Sequence, residues 1–192
     1  MLVTFAPAMQ KLRNILDARH LARISVTTVV SMAVFQTSYP PSSCAFSAEA
    51  RGTLVEVLKP ANVQIDYALF TAPGPVVRNG GLSYQNIFDA TIDAFYWAME
   101  REGVTDVGVA VSETGWPSGG NGNFTTPELA LTYNKNLAIH IAKNGTPKRP
   151  LAYVEGYIFA MFNENLKLAG VEQHFGLFFP PNRLVYAVSP SY

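Results

Sequence analysis

Glu113 and Glu164 are the two carboxylates whose places in the chain suggest chemistry. Each follows an apolar run. Val107-Gly108-Val109-Ala110-Val111 leads through Ser112 to Glu113, and the segment "LAYVEGYIFAMFNEN" (151–165) carries Glu164 near its end. Two carboxylates on either side of a bond are the machinery of glycoside hydrolysis: one attacks or activates water, the other protonates the departing oxygen. Trp116, three residues after Glu113, adds an aromatic face of the kind that stacks on a sugar ring. The same residues have a plainer reading, a carboxylate solvating a loop and an indole lying over the core. Spacing alone leaves both open.

The elements that would position these groups follow from periodicity. Residues 7–19 place Met9, Leu12, Ile15 and Leu16 on one helical stripe. The β-branched run Ile24 to Phe35 reads as a buried strand, broken by Pro40 and Pro41. Residues 45–58 read as a helix, residues 59–64 as a connection to "DYALFTAPGPVV", and Asn79-Gly80-Gly81 as a turn. Phe88, Ile92, Phe95 and Met99 give the clearest helix, closed by Gly103. Residues 107–111 read as a strand buried on both faces. Thr126-Pro127-Glu128 opens a further helix with the stripe Leu129, Tyr133, Leu137 and Ile141, stopped by Gly145. A last apolar run and the aromatic, turn-rich tail "FGLFFPPNRLVYAV" complete the chain. This alternation predicts an α/β fold with a parallel sheet, whose site gathers at the carboxyl ends of the strands. Parallel neighbours lie about 4.8 Å apart, so Glu113 and Glu164 are expected on one rim, several ångströms from each other.

Composition narrows the classes. The chain of 192 residues is 48% hydrophobic and 15% charged, a globular balance. Its formal net charge is zero and it has no run of Lys or Arg, so neither nucleic acid nor a membrane surface is expected as a partner. Cys44 is the single cysteine, which excludes an internal disulfide, and no cysteine–histidine spacing suggests a metal. His20, His140 and His174 are scattered and read as ordinary histidines. The first twenty residues are too charged for the apolar core of a secretory signal. The sequons at Asn123 and Asn144 carry weight only in a secreted protein.

"VAVSETGWPSGG" (109–120) resembles the signature of the plant endo-1,3-β-glucanases, family 17 of the glycoside hydrolases. "TSYPPSSCAF", "DYALFTAPG", "YQNIFDATIDA", "YIFAMFNEN" and "HFGLFFP" resemble further blocks in the family's order, so the likeness covers nearly all of the chain. It implies a retaining (β/α)8 TIM barrel that needs no metal or cofactor and acts on β-1,3-glucan. It implies Glu113 as the nucleophile, with Glu164, Lys167 and Glu172 as the acidic pair and lysine of the cleft floor. A lysine beside carboxylates favours their charged form. Trp116, Tyr39 and Phe175 match aromatic or ring-contacting positions, core packing being an equal reading for Phe175. Family members are exported to the cell wall or the vacuole.

Three departures qualify the resemblance. "FAPAMQKLRNILDA" resembles the helix after the fourth strand, so residues 1–192 are expected to form a partial catalytic domain. That incomplete barrel would hold roughly strands 5, 7 and 8 with their helices, a monomer if folded, lacking strands 1–4 and 6. The family's general acid sits in an Asn-Glu pair at strand four, and Asn163-Glu164 belongs instead to the last strand. Where the sixth strand's Asn-x-Tyr-Pro-Tyr-Phe should stand, between Leu58 and Asp66, there is only "KPANVQI". Glu155-Gly156 replaces the usual Glu-Thr. Loss of an acid typically slows such a reaction about 10²- to 10⁴-fold. Glu164 is a poor substitute because Lys167, three residues on, keeps it charged. The chain alone is therefore expected to be inactive or nearly so, and unpaired parallel edges would favour aggregation. Two alternatives stay open: a non-catalytic β-glucan-binding or interaction protein, and a product that does not fold stably.

Overall fold

A computed structural model describes residues 2–21, 23–24, 26, 29–30, 34–37, 39–47, 63–143 and 145–187. The chain divides into two compact units, Met1–Ala61 with Ala94–Thr105, and Asn62–Asp93 with Asp106–Tyr192.

In the first unit, α1 spans Leu2–Ala18, where Arg13 pairs with Asp17 one turn on. Half of the predicted strand Ile24–Phe35 lies outside the described residues; of the described half only Phe35 is in a strand, β1, Phe35–Thr37. The helix predicted from residue 45 does not begin there. Pro41–Ser43 form a 3₁₀ turn that reverses the chain, so Ala45–Phe46 return as β2, antiparallel to β1 with Phe35 opposite Phe46. Residues 48–58 of that prediction lie outside the described residues. Val34, Phe35 and Cys44 pack on Ala94 and Ala98, and the Phe35 ring sits 4.4 Å from Phe95 and 5.8 Å from Phe46. Burying a ring such as Phe35 contributes about 1.5–3 kcal/mol.

The second unit starts with α2, Ile65–Ala68, and the hairpin of β3, Val77–Asn79, and β4, Leu82–Tyr84. Gly80 and Gly81 both have positive φ, the conformation a two-residue hairpin turn needs. Helix α3, Ile87–Arg101, is capped by Asn86, whose Oδ1 accepts from the Asp89 amide at 2.8 Å. Its predicted stripe points inward, with Phe88 and Ile92 buried. β5 is Ala110–Thr114, α4 is Pro127–Lys143 and β6 is Glu155–Ile158. The tail forms a second hairpin, β7, Phe178–Phe179, with β8, Arg183–Leu184.

β5 and β6 are parallel with α4 between them in sequence, the predicted βαβ unit. Two details differ. The strand expected at 107–111 lies three residues later, and it is not buried on both faces; Val107 is 48% exposed. Among the described residues β6 is the only strand paired to β5. The described residues form four two-stranded sheets and no closed barrel. One parallel pair cannot close on itself. Among the described residues no helix is long and apolar enough to cross a membrane.

Candidate active site

Thr114, the last residue of β5, bonds through its hydroxyl to the Tyr133 hydroxyl on α4. Glu113 stands in a bulge between Val111 and Thr114, where two residues of β5 oppose one of β6. It is exposed there. Beyond it the chain is held tightly: the Thr114 carbonyl accepts from the Phe159 amide at 2.7 Å, and a Cβ on Gly115 would stand 2.1 Å from the Phe159 carbonyl oxygen. Only glycine fits so close an approach of two backbones. The loop that follows is fastened to a later segment. The Ser118 amide and hydroxyl both donate to the His174 carbonyl, at 2.8 and 3.0 Å. The Trp116 indole N–H donates to the Phe124 carbonyl at 2.9 Å, with its ring 5.8 Å from Tyr133. Its polar atom is thus used within the loop.

Lys167 gathers the acids. Its Nζ is 2.7 Å from Glu164 Oε2 and 3.8 Å from Glu172 Oε2, and it lies 4.9 Å from the centre of the Phe159 ring. The Phe159 ring meets Phe175 edge-on at 5.6 Å. The Glu164 hydrogen bond pushes the Lys167 pKa up; partial desolvation opposes this, and the fields of Glu164, Glu172 and Glu113 add to it. Glu113 is therefore close enough for its charge to act on the same ammonium as the other two. These side chains are open to solvent, 38% for Lys167 and 41% for Glu164, so their attraction orders the site more than it stabilises the fold.

The route to Glu164 differs from expectation. Glu113 is within β5 rather than past it, and β6 stops at Ile158, well short of Glu164. After a cis Phe159–Ala160 peptide, the segment is laced to the tail instead of continuing the sheet. Ala160 and Phe175, Leu177 and Ala160, Phe178 and Met161, and Asn163 and Phe178 share amide–carbonyl bonds of 2.9–3.0 Å. Buried Asn163 accepts from the Gly176 amide through Oδ1, and a Cβ on Gly176 would meet the Asn163 nitrogen at 2.0 Å. Periodicity read this run as one strand because its residues are apolar throughout; the pairing that bends it comes from distant residues. Glu113, Trp116, Glu164, Lys167, Glu172 and Phe175 share the second unit, whereas Tyr39 belongs to the first, 68% exposed. Phe159 was given no role by sequence, Asn163 was named only as the neighbour of Glu164 and His174 only as an ordinary histidine, though all three stand within quoted blocks. Among the described residues no group of three His, Cys, Asp or Glu side chains is placed to hold a metal ion.

Comparison with known proteins follows this geometry. The chain is 50% identical, over 91% of its length, to an Arabidopsis thaliana protein named "Probable glucan endo-1,3-beta-glucosidase BG4", of which it covers 57%. It is 44% identical, over 95% of its length, to "Lichenase-2" of Hordeum vulgare, covering 65% of that protein. Among solved structures it resembles a plant β-glucan endohydrolase with a TM-score of 0.84 and 43% identity, over 95% of this chain and 66% of that one. The chain thus spans less than two thirds of the length of each of these relatives. Residues 55–189, well over half of the chain, match the glycosyl hydrolases family 17, and the chain belongs to that family.

Proposed function

We propose that this chain carries the nucleophile side of a β-1,3-glucan endohydrolase. Glu113 attacks the anomeric carbon of a bound glucosyl unit, the bond to the leaving oxygen breaks, and water later hydrolyses the glycosyl–Glu113 ester with overall retention. The observation that carries this reading is the shared ammonium: Glu113, exposed at the bulge of β5, lies within the field of Lys167, which Glu164 and Glu172 hold in place. An ammonium beside a carboxylate favours the anion, the form a nucleophile needs. Trp116 and Phe175 frame the cleft, their packing against Tyr133 and Phe159 fixing its walls.

The strands β5 and β6, with α4 between them, correspond to strands 7 and 8 of a (β/α)8 barrel, and the run Ile24–Phe35 to its strand 5. Asn163-Glu164 is the only Asn-Glu pair in these 192 residues, so the role of general acid is unassigned and the chain by itself hydrolyses glucan slowly or not at all. Export to the cell wall or vacuole and action as a monomer belong to the same reading.

The test removes the need for an acid. A 2,4-dinitrophenyl β-glucoside of a β-1,3-linked oligosaccharide has a leaving group that departs unprotonated, so the nucleophile alone determines turnover. The 192-residue chain should release dinitrophenolate, Glu113→Gln should abolish release, and a 2-fluoro analogue should label Glu113 in a peptide map. Equal release by both proteins, or a label elsewhere, overturns the assignment. Retention of the chain on insoluble β-1,3-glucan without any turnover would favour a binding protein instead.

A further inference from the structure

The second unit contains a cavity of about 410 Å³ that the carboxylate cluster does not use. That volume lies in the range of small-molecule sites, about 300–1,000 Å³. Its walls come from the start of α3, the far half of α4 and the loops before them. Helix α4 runs back from the end of β5 that holds Glu113, and Asn136 and His140 lie about 13–20 Å along its axis. The cavity therefore belongs to the helical layer, and no residue of β5 is among its lining residues.

Its polar groups are held in place. Asp89 is the only acidic side chain in the lining, and both its oxygens are engaged, by His140 Nε2 at 2.7 Å and by Asn86 Nδ2 at 2.9 Å. The Asn136 amide donates to the Leu69 carbonyl at 2.9 Å and the Gln85 amide to the Ala72 carbonyl at 2.6 Å, so each side chain is anchored by its nitrogen and keeps its oxygen available. The Ser83 hydroxyl accepts from Arg78 and retains its own proton. The apolar wall is Phe70, a non-glycine residue at φ 60°, a backbone conformation retained only when its surroundings enforce it. Phe88, Tyr133 and His140 enforce it here, with their rings 5.3–5.8 Å from that of Phe70. An aromatic face beside immobile carboxamide oxygens and one hydroxyl suits a ligand that is apolar on one side and carries neutral hydroxyl donors around its edge.

We propose that this cavity is a second carbohydrate site that holds one neutral hexopyranose unit, free or at the end of a glucan chain. Phe70 packs on the C–H face of the ring, and the Gln85 and Asn136 oxygens accept from its hydroxyl groups. The site needs no catalysis at Glu113, and it would retain polysaccharide while the cleft at Glu113 acts.

The test follows the side-chain amide resonances of Gln85, Asn86 and Asn136 in the full chain, titrated separately with glucose and with a β-1,3-linked glucose hexasaccharide. Saturable shifts with either sugar are expected, and which sugar acts separates a free hexose from a chain end. Ile139, 43% exposed at the lining, offers a way to block the cavity without disturbing the core. Ile139→Trp should weaken binding at least tenfold. Phe70→Leu should weaken it roughly two- to tenfold, the usual worth of an aromatic contact. Glu113→Gln should leave it unchanged. Silent amides at saturating hexasaccharide, or equal shifts in a natively folded Ile139→Trp protein, overturn the proposal. Shifts confined to the backbone amides of residues 113–120, recorded in the same spectra, also overturn it while supporting the cleft, so the two sites fail separately.

Discussion

Gly115→Ala is the change that most directly tests how the candidate site is held together. The new methyl carbon would stand 2.1 Å from the Phe159 carbonyl oxygen and 3.2 Å from its carbon. Both are backbone atoms, so no side chain can rotate away; β5 and the segment after β6 must separate by about 1 Å to restore ordinary contact. Overpacking of this kind typically costs about 1–3 kcal/mol. Opening the gap also weakens the bond from the Phe159 amide to the Thr114 carbonyl, 2.7 Å long, worth about 1 kcal/mol net. The expected loss is thus about 2–4 kcal/mol. Gly108→Ala is the reference, because a Cβ there meets nothing within 4 Å and φ is not positive; it should be neutral or stabilise by up to about 1 kcal/mol. Urea unfolding followed by tryptophan fluorescence reads both, Trp116 being the neighbouring residue. If the variant still turns over the dinitrophenyl glycoside, its rate should fall as well, since the displaced Phe159 ring underlies Lys167. A Gly115→Ala protein within 0.5 kcal/mol of its Gly108→Ala counterpart would refute the close approach, and with it the packing that joins Glu113 to Lys167.

Two further outcomes follow from buried groups. Asp93 is fully buried, and burial pushes its carboxyl pKa up against the hydrogen bonds from Thr146, the Lys148 amide and Tyr84 that pull it down, with Asp89 adding repulsion. The folded state then binds the extra proton, so wild-type stability falls as pH rises from the unfolded carboxylate value, about 3.9, through the folded one. Asp93→Asn lacks that loss, and its stability relative to wild type should rise between pH 4 and pH 7 in paired urea titrations; a relative stability that stays flat or falls contradicts the assignment. Burial pushes the Cys44 thiol up to about 12, and its sulfur lies 2.9 Å from the Thr37 carbonyl. Against an ordinary thiol that lowers the thiolate fraction roughly a thousandfold, so a thiol reagent at pH 8 should react slowly until urea unfolds the chain. Rapid labelling of the native protein would count against the Val34–Phe35–Cys44 core.

The two long helices of the second half were legible because each buries one face, and a buried face writes its period into the sequence. Phe88 and Ile92 point inward from α3 as the spacing requires, and the Thr126-Pro127 start of α4 lies where cap chemistry places it. The strands were less legible. A run of apolar residues says that a segment is buried, not where its ladder begins, and β5 begins three residues later than hydrophobicity suggested. Residue 45 was misread for a similar reason: its pairing with Thr37 depends on the turn at Pro41–Ser43, not on local helix preference.

Residue types alone determined the chemistry on offer, namely two glutamates after apolar runs, a lysine three residues beyond the second, and an indole beside the first. Tertiary structure decided how they meet. Phe159 beneath Lys167, the tail strand that bends residues 159–163 away from β6, and the Phe70 cavity all arise between residues far apart in the chain. A one-dimensional pattern records which side chains avoid water, because that preference belongs to each residue; it does not record which distant backbone each will lie against, because that depends on the whole packed arrangement.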